Sequence, residues 1–263
     1  MYTHHFKMTS QPFCERAPLE MILRDERIEQ GLARLAFFAN NGDIAMLTGP
    51  TGVGKSTLLK LFVSDLPPNR HKCFYLHLTQ VKSTSLLKLI VFAMGETPRM
   101  GKERVFSQIL DYARNSDFQI ILVIDEAHLL PDEAMTDLRL LLSSAFDDKP
   151  PLRLLLIGQE NLPNRLKRIQ HLDLLHRVTV RYQLSPFTRE QTVAYIDHQL
   201  NKSGASDRLF DGEVKNHIHD CAHGLPRQIN NISTICLLNA AARKQPKINE
   251  RIFHDAIAEW QLS

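Results

Sequence analysis

The hydrophobic residues of this chain follow two successive patterns. Between residues 43 and 184, short runs of consecutive apolar residues alternate with segments in which apolar residues recur every three or four positions. Continuous apolar runs are typical of strands buried on both faces of a parallel sheet, and the wider spacing is typical of amphipathic helices. The pattern therefore predicts an α/β fold with a five-stranded parallel sheet and helices on both faces. The predicted strands cover residues 43–48, 73–78, 119–124, 152–157 and 178–184. The predicted helices between them cover residues 55–65, 83–94, 103–115 and 132–144.

The regions on either side of this alternation are predicted to be helical. Residues 24–40 carry an apolar stripe, and Asn41-Gly42 ends that helix. Ser185-Pro186 interrupts the chain, and only helical patterns follow, beginning with Thr188 and Gln191 at the spacing of a capping box. We therefore expect two domains. The α/β core covers residues 1–185, including an N-terminal segment 1–23, and a small helical lid domain covers residues 186–263. The helices predicted in the lid cover residues 188–202, 212–222, 227–243 and 249–261.

The composition is that of an ordinary globular protein. Hydrophobic residues make up 43% of the 263 residues and charged residues 23%, which excludes disordered and collagen-like classes. No apolar run approaches the roughly 18 residues of a bilayer span, and the first residues lack the apolar segment of a signal peptide. The four cysteines are scattered without a CxxC pair, so we expect them to be reduced. A cytoplasmic protein with no membrane partner is expected.

The charges are banded along the chain although the formal net charge is only +3. Residues 69–104 carry seven Lys and Arg against two Glu, and residues 111–160 carry ten acids against four bases. Residues 164–181 return to five bases against one acid. Such banding permits an anionic partner on one face, and it is equally compatible with a solvated surface of mixed charge.

The strongest motif is Gly49-Pro-Thr-Gly-Val-Gly-Lys55-Ser56, which matches the GxxxxGK[ST] pattern between a predicted strand and a predicted helix. Glycines let the backbone wrap around a phosphate with its N–H groups pointing inward, and the following helix points its N-terminus at the same anion. Lys55 is expected to reach the β- and γ-phosphates, and the Ser56 hydroxyl to bind Mg²⁺. The predicted nucleotide-binding residues are Gly49, Pro50, Thr51, Gly52, Val53, Gly54, Lys55, Ser56 and Thr57.

Two acidic residues follow the third predicted strand. Asp125 and Glu126 come directly after Ile120-Ile-Leu-Val-Ile124. Ligands of open α/β sheets bind at the carboxyl ends of the strands. We expect Asp125 to hold Mg²⁺, commonly through water, and Glu126 to orient and deprotonate an attacking water. The alternative is that one of the two acids only caps the next helix.

These motifs and the helical second domain together resemble the AAA+ ATPases over nearly the whole chain. The resemblance implies ATP and Mg²⁺ as ligands and ATP hydrolysis as the activity. Gln159, after the fourth predicted strand, resembles the sensor 1 residue that contacts the γ-phosphate or the lytic water, although many AAA+ proteins have Asn or Thr there. Arg177 resembles the arginine finger that reaches a neighbouring subunit's nucleotide, with Arg181 as the alternative. Gly224-Leu-Pro-Arg227 resembles the sensor 2 motif, in which Arg227 contacts the γ-phosphate.

A finer resemblance is to the ExeA-like ATPases. It rests on the opening residues 2–13, on Asp125-Glu-Ala-His-Leu-Leu130, and on Leu184-Ser-Pro-Phe187 followed by Gly224-Leu-Pro-Arg227-Gln-Ile-Asn230. Secretion members of this family carry a transmembrane helix and a peptidoglycan-binding module after the ATPase. Because the sequence ends after the lid, we expect the stand-alone type. That type resembles the TniB, TnsC, IstB and Mu B transposition helpers, which form ATP-dependent rings or filaments on double-stranded DNA and recruit a transposase.

The same resemblance places DNA contacts after the second strand, in Thr79-Gln-Val-Lys82-Ser-Thr84. Lys82 and Thr84 are candidates to grip phosphate there, and Lys102 and Arg104 are candidates in the next basic segment. Such contacts would be independent of DNA sequence and sensitive to salt, and each side chain could equally face solvent.

We therefore expect an oligomerising, DNA-binding ATPase that marks target DNA and recruits or regulates a transposase. One alternative is an ExeA-like ATPase of secretion assembly. The other is a nucleotide switch that does not hydrolyse ATP, and the presence of Glu126 argues against it.

Overall fold

The computed structural model describes residues 2–77, 82–143 and 152–261. Within these ranges, five strands form one parallel sheet in the order β2-β3-β4-β1-β5, which confirms the predicted sheet. The predicted ends at residues 78 and 144 lie outside the described residues. The strands are β1 Ile44–Thr48, β2 His71–His77, β3 Gln119–Asp125, β4 Leu152–Gly158 and β5 Val178–Gln183.

Helices connect the strands and follow the last of them. The predicted helices are present, and their ends differ from the prediction by no more than three residues. Three short helices, α1, α7 and α8, were not predicted because four or five residues are too few for a helical period to show. The helices are α1 Tyr2–His5, α2 Glu26–Asn41, α3 Lys55–Asp65, α4 Ser83–Ala93, α5 Lys102–Arg114, α6 Asp132–Leu141, α7 Leu162–Leu166, α8 Leu172–His176, α9 Arg189–Lys202, α10 Gly212–Ala222, α11 Pro226–Ala242 and α12 Glu250–Gln261.

The inner strands are buried on both faces, as their continuous apolar sequences require. Every residue of β1 and β4 is buried, and β3 is buried from Ile120 to Asp125. One face packs against α4, α5 and α6 in an apolar core that includes Leu122, Leu154 and Ile90. The edge strands β2 and β5 alternate buried and exposed residues instead.

The chain divides into two compact units. One unit comprises residues 28–50 and 55–184 and contains the sheet. The other comprises residues 1–27, 51–54 and 185–263. The sequence predicts that residues 1–23 belong to the α/β core. The structure groups them with the C-terminal helices instead, because Tyr2 and Phe13 are buried in the same apolar cluster as Ile196 and Phe210.

The predicted capping box at the start of α9 is present. The Gln191 N–H donates to the Thr188 hydroxyl at 3.2 Å, and the Thr188 N–H donates to the Gln191 side chain at 2.9 Å. Two of the otherwise unpaired groups at this helix start are thereby satisfied. Within the described ranges, no helix combines the length and the apolar character needed to cross a membrane.

Candidate nucleotide-binding site

The glycine-rich motif forms the turn between β1 and α3. β1 ends at Thr48 and α3 begins at Lys55, so the helix N-terminus points at the loop, as anion binding requires. Gly54 has a φ of 109°, a conformation that favours glycine. The Lys55 ammonium donates to the carbonyls of Gly49 and Pro50 at 2.8 and 3.0 Å. These contacts fold the lysine back along the loop.

The hydroxyl residues of the motif begin α3. Ser56 is exposed and Thr57 is partly buried, so the Ser56 hydroxyl is accessible to a ligand. Val53, in contrast, is 1% exposed.

The middle of the loop, Thr51–Gly54, belongs to the same compact unit as Arg227. The Arg227 N–H donates to the Gly52 carbonyl at 3.2 Å. Gly52 has a φ of 81°, and a Cβ at this position would lie 2.9 Å from the Arg227 Cβ. The Arg227 Nε lies 3.5 Å from a Glu15 carboxylate oxygen, and both side chains are more than half exposed. The backbone of the predicted sensor 2 arginine is therefore adjacent to the middle of the loop, Thr51–Gly54.

Pro226 and Gly224 determine the backbone conformation just before Arg227. Pro226 begins α11, where its missing N–H costs no hydrogen bond. Gly224 has a φ of 69°, and its carbonyl accepts from the Phe187 N–H at 2.8 Å. A side chain at Gly224 would collide with the Phe187 backbone, which explains why glycine stands there.

Asp125 and Glu126 lie at the carboxyl end of β3. Asp125 is 6% exposed, and its Oδ1 accepts from the Glu126 N–H at 2.9 Å. Glu126 has left-handed backbone angles, φ 55° and ψ 33°. A non-glycine residue in this conformation is strained, and such strain concentrates at functional sites.

Two residues on the neighbouring strand contact Asp125. The Tyr75 hydroxyl donates to Asp125 Oδ2 at 2.7 Å, and His77 Nδ1 lies 3.5 Å from the same oxygen. Burial raises the pKa of Tyr75 above its usual range, and the hydrogen bond to Asp125 and the nearby carboxylate charges raise it further. The Tyr75 hydroxyl therefore remains a proton donor throughout the physiological pH range.

The segment after Glu126 is held by a histidine and an arginine. His128 is buried, and its Nδ1 lies 3.2 Å from Glu126 Oε2, without the alignment of a hydrogen bond. The Arg165 guanidinium, on α7, donates to the carbonyls of His128 and Leu130 and to the Asp132 carboxylate. α7 follows β4, so Arg165 connects the segments that follow two adjacent strands.

Gln159 lies between the two acidic residues and the phosphate loop because of the strand order. β4 is the strand between β3 and β1, and Gln159 directly follows it. The residue is partly exposed, and its carbonyl accepts from the Leu162 N–H at 3.0 Å. This is the location expected for a side chain that contacts a γ-phosphate or an attacking water.

The two candidate arginine fingers both contact their own chain. Arg177 is partly buried between α8 and β5 and donates to the Leu142 carbonyl at 3.1 Å. Arg181 is exposed on the edge strand β5 and donates to the Leu175 carbonyl at 3.2 Å. The geometry therefore leaves the choice between them open.

The candidate DNA-binding residues differ in their surroundings. Residues 79–81 of the predicted contact segment lie outside the described residues. Lys82, Thr84 and Arg104 are exposed, whereas Lys102 is bound by two carboxylates, 2.9 Å from Glu133 and 2.9 Å from Asp137. These contacts, with Glu133 first, raise the pKa of Lys102. Lys102 therefore has a structural role between α5 and α6.

The functional candidates that sequence reasoning missed are Tyr75, His77, His128 and Arg165. Tyr75 and His77 alternate with buried residues along β2, so their exposure on one face could have been read from the sequence. Their contact with Asp125 could not be, because it depends on β2 and β3 being neighbours in the sheet. Arg165 lies on a helix too short to be predicted.

The donor chemistry at this edge of the sheet fits Mg²⁺. The Asp125 carboxylate and the Ser56 hydroxyl are both hard oxygen donors. Mg²⁺ commonly takes one or two such protein ligands and completes its shell with water and substrate phosphates.

The chain is similar in sequence to a family model and to a secretion protein. A family model described as an AAA domain matches residues 39–166. General secretion pathway protein A of Aeromonas hydrophila is 29% identical over 255 residues, which cover 94% of this chain and 46% of that protein. The chain thus spans about half the length of this relative. The chain is therefore similar to an AAA domain over residues 39–166 and to this secretion protein over most of its own length.

Solved structures show the fold. The Aeropyrum pernix ORC2 protein, in ADPNP-ADP complexes, matches with a TM-score of 0.72 at 16% identity, over 95% of this chain and 71% of that chain. Drosophila ORC bound to DNA matches with a TM-score of 0.71 at 16% identity, over 100% of this chain and 66% of that chain. The chain has the P-loop fold of AAA+ proteins.

Proposed function

We propose that this protein is a Mg²⁺-dependent ATPase whose subunits assemble on double-stranded DNA. The ATPase proposal rests on the residues that follow three neighbouring strands at the carboxyl end of the sheet. There the phosphate loop follows β1, Gln159 follows β4, and Asp125 and Glu126 follow β3, in adjacent positions. A nucleotide-binding loop and a carboxylate pair beside it are what phosphoryl transfer to water requires.

Different residues of this chain have different roles in ATP hydrolysis. Backbone N–H groups of the phosphate loop, in which Pro50 alone has none to donate, and the Lys55 ammonium bind the phosphates, which are strong acceptors for charged donors. Ser56 and Asp125 would hold Mg²⁺, which neutralises charge that develops on the phosphates. Glu126 accepts a proton from the attacking water, and Gln159 orients that water or the γ-phosphate. Arg227 contributes positive charge toward the third phosphate.

In the assembled protein, a neighbouring subunit supplies further positive charge at the nucleotide. Arg177, with Arg181 as the alternative, would reach the nucleotide of a neighbouring subunit and stabilise the transition state in trans. ATP would then link subunits, and its hydrolysis would loosen their interface. The strong preference of such an arginine for the triphosphate is what couples assembly to nucleotide state.

The DNA part of the proposal rests on exposed polar and basic residues at the starts of α4 and α5. Lys82, Thr84 and Arg104 are solvent-accessible, and Lys82 and Arg104 have no ion pair with any described residue. The same fold occurs in an ORC assembly solved on DNA. We propose that these residues contact the phosphate backbone, and that the assembly marks target DNA for a transposase that times hydrolysis.

The second candidate function is the assembly of a secretion apparatus. It is favoured by the similarity to General secretion pathway protein A over 94% of this chain. This function would use the same ATPase cycle with a cell-wall or membrane partner in place of DNA. The two candidates therefore differ in what the assembled ATPase binds, and a binding measurement separates them.

The test is a duplex-DNA titration with a non-hydrolysable ATP analogue, with ADP and without nucleotide, followed by electron microscopy. We expect rings or filaments on DNA only with the ATP analogue. Glu126→Gln should form the same assemblies with ATP itself and stay bound, because it binds ATP but hydrolyses it about 100-fold or more slowly. Lys55→Ala should form none.

Each contrary result would show which part of the proposed function is wrong. ATP hydrolysis without any DNA association at low salt would overturn the DNA proposal and favour the secretion candidate, to be tested with peptidoglycan and lipid vesicles. Retention of full ATP affinity by Lys55→Ala would overturn the phosphate-loop assignment. Dissociation of Glu126→Gln from DNA as fast as the wild type would overturn the proposed cycle.

A further inference from the structure

The carboxylate of Asp125 is held from two sides by donors outside the phosphate loop. The Tyr75 hydroxyl donates to Oδ2 at 2.7 Å, and the Glu126 N–H donates to Oδ1 at 2.9 Å. Each oxygen therefore has one fixed donor, which sets both the rotamer and the plane of the carboxylate. Because a carboxylate oxygen has two lone pairs, Oδ1 retains one for another ligand, whereas Oδ2 also has His77 Nδ1 at 3.5 Å.

The strand register explains why Tyr75 reaches Asp125. β2 and β3 are parallel, with Tyr75 opposite Val123 and His77 opposite Asp125. Residues two apart on a strand share a face, so Tyr75, His77 and Asp125 all project on the same side of the sheet. The long tyrosine side chain spans the diagonal between neighbouring strands. His77 is closer in register, but its ring nitrogen lies 3.5 Å from Oδ2 and makes the weaker contact.

We infer that Tyr75 is a positioning residue for the metal site, which orients the Asp125 carboxylate toward Mg²⁺ through its hydroxyl. The inference rests on the proposed function, in which Asp125 holds the metal. Hydrogen-bonding partners of metal-ligating side chains fix the orientation of the ligand, and their loss typically costs 10–100-fold in metal affinity. Tyr75 is 49% exposed, so water can replace part of its contact, and we expect about a tenfold loss.

A purely structural role for the same hydrogen bond makes a different prediction. If Tyr75 only ties β2 to β3, its loss would weaken the fold without a specific effect on metal binding. Tyr112 offers a matched control. Its hydroxyl accepts a hydrogen bond from Lys72 at 2.8 Å, so Tyr112→Phe also removes one tyrosine hydroxyl contact and leaves Asp125 untouched.

The experiment compares wild type, Tyr75→Phe and Tyr112→Phe in two measurements. Electron paramagnetic resonance gives the affinity of the ATP-analogue-bound protein for Mn²⁺, which substitutes for Mg²⁺. Fluorescence of a labelled ATP analogue in EDTA gives nucleotide affinity without metal. Tyr75→Phe should weaken Mn²⁺ binding about tenfold and change metal-free nucleotide affinity less than twofold, and Tyr112→Phe should match the wild type in both.

Wild-type Mn²⁺ affinity in Tyr75→Phe would overturn the inference. So would equal losses in the two variants, or an equal loss of metal-free nucleotide affinity in Tyr75→Phe, since either result indicates a structural role. A wild-type protein that binds neither nucleotide nor Mn²⁺ would instead overturn the proposed function, and the inference with it.

Discussion

The backbone N–H of Arg227 donates to the carbonyl of Gly52 at 3.2 Å, so the start of α11 is attached to the middle of the phosphate loop. The two residues also approach so closely that a Cβ on Gly52 would lie 2.9 Å from the Arg227 Cβ. The contact is made by the Arg227 backbone, and the guanidinium lies next to Glu15 at 3.5 Å. The backbone and the side chain of Arg227 can therefore be tested separately.

Arg227→Ala should distinguish ATP from ADP. Alanine keeps the backbone hydrogen bond to Gly52 and removes only the guanidinium. Because the guanidinium is proposed to contact the third phosphate, we expect ATP affinity to fall about tenfold, or about 1.4 kcal/mol. ADP affinity should change less than twofold. Calorimetric titration of both nucleotides measures the difference.

Arg243→Ala is the control for this change. Arg243 caps the opposite end of α11 and pairs with Asp255, so its loss tests for a general effect on the helix. Equal losses of ATP and ADP affinity in Arg227→Ala, or equal ATP affinity in the two variants, would rule out a γ-phosphate contact by Arg227.

The arginine finger can be identified by mixing subunits. Arg177→Ala alone should hydrolyse ATP about 1000-fold more slowly while it retains nucleotide binding, since an arginine finger contributes that much or more. Addition of Glu126→Gln subunits, whose arginines are intact, should restore part of the activity. Arg181→Ala should stay within about twofold of wild type.

A large loss of activity in Arg181→Ala, with near wild-type activity in Arg177→Ala, would identify Arg181 as the arginine finger. Full activity in both single variants would exclude a trans arginine at either position. A steady-state phosphate-release assay at fixed total protein, with varied subunit ratio, makes these outcomes distinguishable.

The sequence predicts most of this fold because its patterns are local. Continuous apolar runs mark β1, β3 and β4, and helix α3 is predicted to the residue because a phosphate-loop motif defines its start. Asp125 and Glu126 are found in the same way, directly after a buried strand. Local patterns are sufficient where a strand end or a helix start determines the position of the side chain.

Local patterns fail where contacts join distant segments. Tyr2 and Phe13 show no periodicity, and only the structure reveals that they are buried with the C-terminal helices. The sequence alone predicts that Lys102 is available to bind an anion. In the fold, however, it pairs with Asp137, which lies 35 residues later in the chain. The Tyr75 contact with Asp125 depends on strand order, which apolar runs do not encode.

Lys82→Ala should weaken DNA binding equally for all duplex sequences. Lys82 is exposed just before α4, and a lysine that contacts phosphate releases a counterion when it binds. The slope of log affinity against log salt should therefore fall by about 1. Fluorescence anisotropy over a range of salt concentrations gives this slope. Lys202→Ala, at the exposed end of α9, is the control, and an unchanged slope in Lys82→Ala would remove this residue from the proposed interface.

Acid should destabilise the protein partly through Asp132. The hydrogen bond from His171 first, and then that from Arg165, hold the pKa of this carboxyl below its usual range. A carboxyl with a depressed pKa stabilises the fold above its unfolded pKa of about 4, and this contribution is lost as pH falls through the lower folded value. Urea unfolding of wild type should therefore lose stability more steeply below about pH 4 than that of Asp132→Asn. Identical pH profiles would contradict this role for Asp132.

Arg153 stabilises the end of α2 from inside the protein. It lies on β4, is 7% exposed, and its guanidinium donates to the carbonyls of Phe38, Ala39 and Asn40. The last carbonyls of a helix have no partner within the helix, and Arg153 binds three of them. The Phe38 carbonyl also accepts from the Gly42 N–H at 3.0 Å, and His71 Nε2 lies 2.9 Å from the Ala39 carbonyl. Arg153→Met fills similar volume but removes the charged donor from all three carbonyls and takes from Asn40 its guanidinium partner, and we expect a loss of about 1–3 kcal/mol in unfolding free energy. Arg153→Lys should lose less, because it keeps the charge but cannot reproduce the planar fork of donors. Urea denaturation of the three proteins measures their unfolding free energies. Equal stability of Arg153→Met and wild type would show that water or neighbouring groups satisfy the carbonyls equally well.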